Sequence, residues 1–188
     1  DSLYAVLKDP IDPSEIALDH VAISVEKDTL LQHSVADIAV IGTLANHQPA
    51  ALDEENIQWF TSNAAVADVQ NGKITAKNAG TVEVYAVVTY NGAQVASNTI
   101  MLTVTVNQAT LTEQIAALEA SGEMKHSLAK QLTNRLAQAE HHYQKGHLEQ
   151  AMKHLNDFRK SLEKGDVSEE IARILTNNID ALEQLYRD

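Results

Sequence analysis

Five of the eight histidines, His126, His141, His142, His147 and His154, fall after residue 125. His142 and His147 flank Gly146, and His154 stands two helical turns beyond His147. A chain reversal at the glycine would bring these imidazoles together. Neutral imidazole with a carboxylate such as Glu140 or Glu149 suits a borderline ion like zinc. His142, His147 and His154 are therefore the candidate metal ligands. No HExxH or other fixed ligand spacing accompanies them. The competing reading is preferred: histidines at a helix C-terminus complement the dipole and cap carbonyls, and others pack beside Tyr143.

Acidic side chains offer a second chemistry. Asp9, Asp12, Asp19 and the run Asp53-Glu54-Glu55 could supply oxygen ligands to calcium, but the alternating loop of an EF-hand is absent, so a solvated surface is preferred. No cofactor is expected, with calcium and zinc the ions these residues would suit. For catalysis the chain has no GxSxG, no glycine-rich phosphate loop and no cysteine. We assign no catalytic residues and expect a non-enzymatic fragment, leaving open that a longer parent chain is a glycoside hydrolase or polysaccharide lyase.

Charge narrows the partners. The net charge is −12, with 4 Lys/Arg against 13 Asp/Glu in residues 1–107 and 10 against 13 in residues 108–188. No basic stripe exists to neutralise phosphates, which excludes nucleic acid, and anionic lipid is disfavoured on the same ground. No apolar run approaches the 18 or so residues of a membrane-spanning helix, so no membrane insertion is expected. Asp1 is not an initiator, and we expect any signal peptide or anchor to lie outside this sequence. Without cysteine, every domain must hold by packing alone.

The elements that would carry these groups change period near Asn107. Before it, apolar residues alternate: Val21, Ile23 and Val25; Val82, Val84, Ala86 and Val88; Leu102, Val104 and Val106. Asn71-Gly72 and Asn91-Gly92 mark tight turns, the latter predicting a two-residue hairpin. Turn signals at short intervals between such runs predict an immunoglobulin-like β-sandwich. The run Ile57–Thr81, IQWFTSNAAVADVQNGKITAKNAGT, resembles the bacterial immunoglobulin-like group 2 (BIG2) domain, a non-catalytic module of secreted and surface proteins. The likeness spans roughly Val21–Val106. It implies that Trp59 lies on the third strand and fills the core, leaving Tyr85, Tyr90, Tyr143 and Tyr186 as candidate surface aromatics.

After Asn107 the period is near 3.6. Thr110-Leu111-Thr112-Glu113 has capping-box form and predicts a helix start. Four helices are expected, with apolar lines Leu111/Ile115/Leu118, Leu128/Leu132/Leu136/Ala139/Tyr143, Leu148/Ala151/Leu155/Phe158/Leu162 and Ile171/Leu175/Ile179/Leu182/Tyr186. Gly122, Gly146 and Gly165 separate them. Connections this short force antiparallel neighbours, hence a small all-α bundle. Lys125–Leu162, KHSLAKQLTNRLAQAEHHYQKGHLEQAMKHLNDFRKSL, resembles the FIMAH domain, a helical module near the C-termini of large secreted bacterial proteins, many of them polysaccharide-degrading.

The expected organisation is thus residues 1–16 as a linker from an upstream module, 17–107 as the sandwich and 108–188 as the bundle. The two resemblances imply a secreted or cell-surface accessory region. In it the sandwich is a spacer and the bundle a docking or binding module for carbohydrate or cell envelope. Its expected partners are an upstream catalytic domain of the same chain and a polysaccharide or cell-wall glycan. The alternatives are the stalk and tip of a surface adhesin, or a histidine-rich metal-binding module.

Overall fold

A computed structural model describes residues 15–188. The expected linker lies almost wholly outside this span, as do Asp9 and Asp12. Among the described residues, ten strands precede four α-helices. The strands are β1 (Leu18–Val25), β2 (Thr29–Leu31), β3 (Val35–Leu44), β4 (Pro49–Ala50), β5 (Ile57–Thr61), β6 (Ala67–Gln70), β7 (Lys73–Ala76), β8 (Gly80–Tyr90), β9 (Ala93–Ala96) and β10 (Ile100–Thr105). The helices are α1 (Gln108–Ala120), α2 (His126–Gln144), α3 (Leu148–Lys164) and α4 (Glu169–Arg187). This is the predicted class, a β-sandwich followed by a helical bundle.

The chain divides into two compact units. The first runs through Asp28 and takes in Ser34–Ala76 and Thr81–Thr103. The second takes Thr29–His33, Lys77–Gly80 and Val104–Asp188.

One sheet has the order β1-β3-β7-β6 with β4 beside β3, and the other β2-β10-β8-β5 with β9 on β8. Alternation decides the faces: Val82, Val84, Ala86 and Val88 are buried, while Glu83 and Tyr85 between them are exposed. Leu18, Val21, Leu44 and Val88 cluster in the first unit's core. Asn91 and Gly92 sit at φ 49° and 78° and join Tyr90 directly to Ala93, the geometry a type I′ hairpin needs. Between β9 and β10 the chain breaks its ladder. There Asn98 accepts from the Ile23 amide at 2.7 Å and donates to its carbonyl at 3.1 Å, a side-chain amide standing in for a strand partner of β1.

Trp59 departs from its expected full burial. Its register partner is the buried Ala86, so it faces inward, but β5 ends the sheet and leaves it only partly buried. The ring N–H donates to Glu54 at 3.0 Å, the partner an indole at a wet edge requires.

The helical unit buries Leu111, Ile115, Leu132, Leu136, Leu155, Phe158, Leu175, Ile179 and Leu182 almost completely. The first helix starts earlier than the expected capping box. Asn107 is its N-cap, accepting from the Thr110 amide at 2.8 Å, while the Thr110 hydroxyl accepts from the Asn107 amide at 3.0 Å. Thr110 thus closes the box from the third helical position, where its hydroxyl does the work expected of a carboxylate. Ser168 caps α4 as its sequence predicts, accepting from Ile171 at 3.2 Å.

Inside this unit sits a network of amides, in which the buried Gln32 Oε1 is left without a partner among the described residues. Asn178, fully buried, donates to Asn78 at 3.0 Å and to Gln114 at 2.9 Å and accepts from the Ala79 amide at 2.9 Å. Gln114 in turn donates to Asn78 at 2.9 Å and accepts from Gln32 at 2.9 Å, and Gln32 also donates to the Lys77 carbonyl at 2.9 Å. Asn178→Ala would strand the Ala79 amide N–H and take one of two donors from each of the Asn78 and Gln114 acceptors, while emptying a fully buried site. It should lower stability by about 2–3 kcal/mol in urea melts of the whole chain. Asn178→Asp keeps the acceptor for Ala79 but sets a buried carboxylate oxygen against the Asn78 and Gln114 acceptors, so it should cost at least as much as Asn178→Ala.

The turn between α2 and α3 supplies a second check. Gly146 has φ 78°, its amide bonds the Tyr143 carbonyl at 2.9 Å, and His147 bonds the His142 carbonyl at 2.9 Å. This is a Schellman motif with Gly146 at C′. A Cβ there would meet nothing within 4 Å, so any cost is backbone strain alone. Gly146→Val should destabilise by about 1–2 kcal/mol and Gly146→Asn by distinctly less, read as the difference in melting midpoints.

Candidate functional site

The same turn gathers the histidines. His142 lies in the last turn of α2, His147 is the N-cap of α3, and His154 stands on α3 facing back toward α2. Ring centroids of His142 and His154 are 5.2 Å apart and nearly parallel, at 12°. His147 lies 6.0 Å and His141 5.7 Å from His142. The structure therefore brings the three candidate ligands together, His154 stacked on His142 and His147 tilted at 39° to it. Among the described residues no three His, Asp or Glu side chains converge as a metal ion requires. Glu140, the nearby carboxylate, is occupied on both oxygens: Gln144 donates to one at 2.8 Å and the Tyr186 hydroxyl to the other. His126, the fifth histidine, stands apart at the start of α2, paired with Glu119.

The electrostatics of the stack follow from its crowding. The Nδ1 atoms of His142 and His154 are buried with no hydrogen-bond partner. Burial first, then the nearby charge of His142, Arg135 and Lys153, pushes the His154 imidazole below its ordinary value, with only Asp157 opposing. Burial and the Glu140 bond raise the Tyr186 phenol, and its ring stacks on Tyr143 at 4.1 Å. These two tyrosines are packing groups, not sugar platforms. Tyr85 instead stacks on Phe60 at 4.8 Å on the outer face of its sheet and is partly exposed. Asp19 pairs with His20 at 3.0 Å, and Glu54–Asn56 forms a short 3₁₀ turn with Asp53 at its N-cap position but without a side-chain cap bond. Neither takes the form of a calcium loop.

A feature that sequence reasoning missed lies along α3. Two open hollows of about 490 and 590 Å³ share Asp157 and Lys160 as lining residues, so they adjoin. The first runs between α2 and α3 and ends at the Gly165 loop, which a Cβ would hold off because it would sit 2.5 Å from a Leu128 methyl. Lys125, Arg135, Lys160 and Lys164 line it. Lys153 and Arg187 line the second. Both carboxylates of the first hollow are ion-paired, Asp166 with Lys125 at 2.9 Å and Asp157 with Arg135 at 3.5 Å. The antiparallel pairing of α2 and α3 gathers cations 25 to 40 residues apart, which is why no local run betrayed them.

The depressed His154 value carries a sign. An unfolded chain takes up this proton before the folded one does, so the contribution is intact above the ordinary histidine value of about 6.5 and is lost as pH falls below it. The melting temperature should therefore drop between pH 7 and pH 5. His154→Gln should flatten that part of the profile.

No curated protein matches the chain. Among solved structures it is similar to the S-layer protein rSbsC, with 16% identity and a TM-score of 0.37 over 50% of this chain and 15% of that one. Residues 108–184, from the start of α1 to near the end of α4, match the family model of the FIMAH domain.

Proposed function

We propose that this chain is a non-catalytic accessory region of a larger secreted or surface-bound bacterial protein, its sandwich a spacer and its helical unit a docking module. The carrying observation is the pair of adjoining hollows along α3. Both are open to solvent and lined by charged and hydrogen-bonding side chains. That form suits holding an extended ligand in contact with water. Turnover favours an enclosed site that expels water around reacting groups, and the two carboxylates of the first hollow are held in ion pairs. The FIMAH match over residues 108–184 supports the same reading, because resemblance to that family implies a helical module of a secreted, often polysaccharide-degrading, protein. We also infer that the sandwich is of the BIG2 type, on the register of its turns, its apolar alternation and the inward-facing Trp59.

The test is retention of the whole chain on insoluble polysaccharides and on purified Gram-positive cell walls, with the supernatant fraction measured. We expect it to be depleted from solution by at least one of these materials at physiological salt. No depletion by any of them would remove the docking role and leave only that of a spacer. Turnover of a polysaccharide by the chain itself would overturn the accessory reading.

A further inference from the structure

The helical unit segregates its charge. Of the ten basic side chains in residues 108–188, six line the two adjoining hollows, against three of the thirteen acids. Among the described residues, Lys160 and Lys164 have no acidic partner within ion-pair distance. Lys160 lies where the hollows meet. A chain of net charge −12 thus keeps a cationic track where α2, α3 and the end of α4 meet. Between the cations stand Ser127, Gln131, Ser161 and Asn156, side chains that can donate to or accept from sugar hydroxyls.

The geometry points to this track as the binding site for an acidic polysaccharide, a glycan bearing carboxylate or sulfate groups, held across α2 and α3. The inference rests on the docking reading and names its ligand class. Spaced cations with neutral hydrogen-bonding groups between them match a polymer whose charges recur along a hydroxyl-rich backbone. Arg135 offers a fork for carboxylate or sulfate, and Lys160 and Lys164 offer point charges. Nucleic acid is a poorer fit, because no aromatic side chain lines either hollow to stack a base. A lipid surface is poorer still. The track is a concave groove, and the acidic remainder of the chain would be repelled by anionic headgroups.

The experiment titrates the whole chain with polygalacturonate, dextran sulfate and uncharged dextran, and mixes it with vesicles of phosphatidylserine and phosphatidylcholine. The double variant Lys160→Glu/Lys164→Glu is compared with Lys27→Glu/Lys130→Glu, which makes the same charge change at exposed lysines away from the hollows. Circular dichroism and melting confirm that each variant folds. The expected result is binding to at least one acidic glycan and none to dextran. Affinity should weaken about tenfold in the track variant but less than twofold in the control, and fall as salt rises. Equal weakening in both variants would show a non-specific charge effect and overturn the site. Binding to neutral dextran alone would overturn the ligand class while leaving the docking role standing. Binding to vesicles but to no soluble polyanion would replace the glycan with a membrane. No binding to any probe, together with no retention on cell walls, would end both readings.

Discussion

The helical unit depends on the buried Asn178 amide. A side chain with both a donor and an acceptor, sealed from water, tolerates only one arrangement of its neighbours. It holds α4 to α1 through Gln114 and to the Lys77–Gly80 segment through Asn78 and the Ala79 amide. Apolar residues around it can slide by a methyl group at modest cost. The amides cannot, since each misplaced bond leaves a polar group in a low-dielectric interior. Packing by Leu132, Phe158 and Leu182 supplies most of the stabilisation, and the amides fix the register in which that packing occurs.

Fixed register is what gives the outer face of α3 its meaning. The cations of the track come from the start and middle of α2, from most of α3 and from the last turn of α4. They form one surface only if those three helices keep their phase. The Schellman turn at Gly146 sets α2 against α3, and Gly165 seats the next loop against Leu128. Core, turns and charge therefore converge on one arrangement, the consistency expected of a sequence that specifies one structure.

Much of this was legible in the residues. Alternation in Val82–Val88, the Asn-Gly turns and the apolar lines of the helices predicted the strands, hairpins and helices, because period and turn chemistry are local. The Gly146 reversal and the approach of His142, His147 and His154 followed from spacing alone. Ring orientation did not, and the stacking of His142 on His154 is decided by how closely α2 and α3 pack. Trp59 misled because its strand could be read from sequence, whereas its position at the edge of the sheet is a matter of topology. Asn78, Gln114 and Asn178 were invisible for a related reason. Polar residues at such separations carry no periodic signal, and only the fold makes them neighbours. The cationic track leaves no local mark in the sequence, because its charges are dispersed along the chain and meet only across packed helices.

The amide network has a bearing on how such a module travels between proteins. Recombination that moved the segment matched by the family, residues 108–184, would carry Gln114 and Asn178 but leave Gln32, Asn78 and the Ala79 amide behind. A new host must then present amides of its own at that spot, or the two orphaned positions must drift to apolar residues. Copies found in different architectures should accordingly vary at positions 114 and 178 in step with whatever precedes them. The segment matched by the family model and the compact unit it belongs to are, in this chain, different lengths.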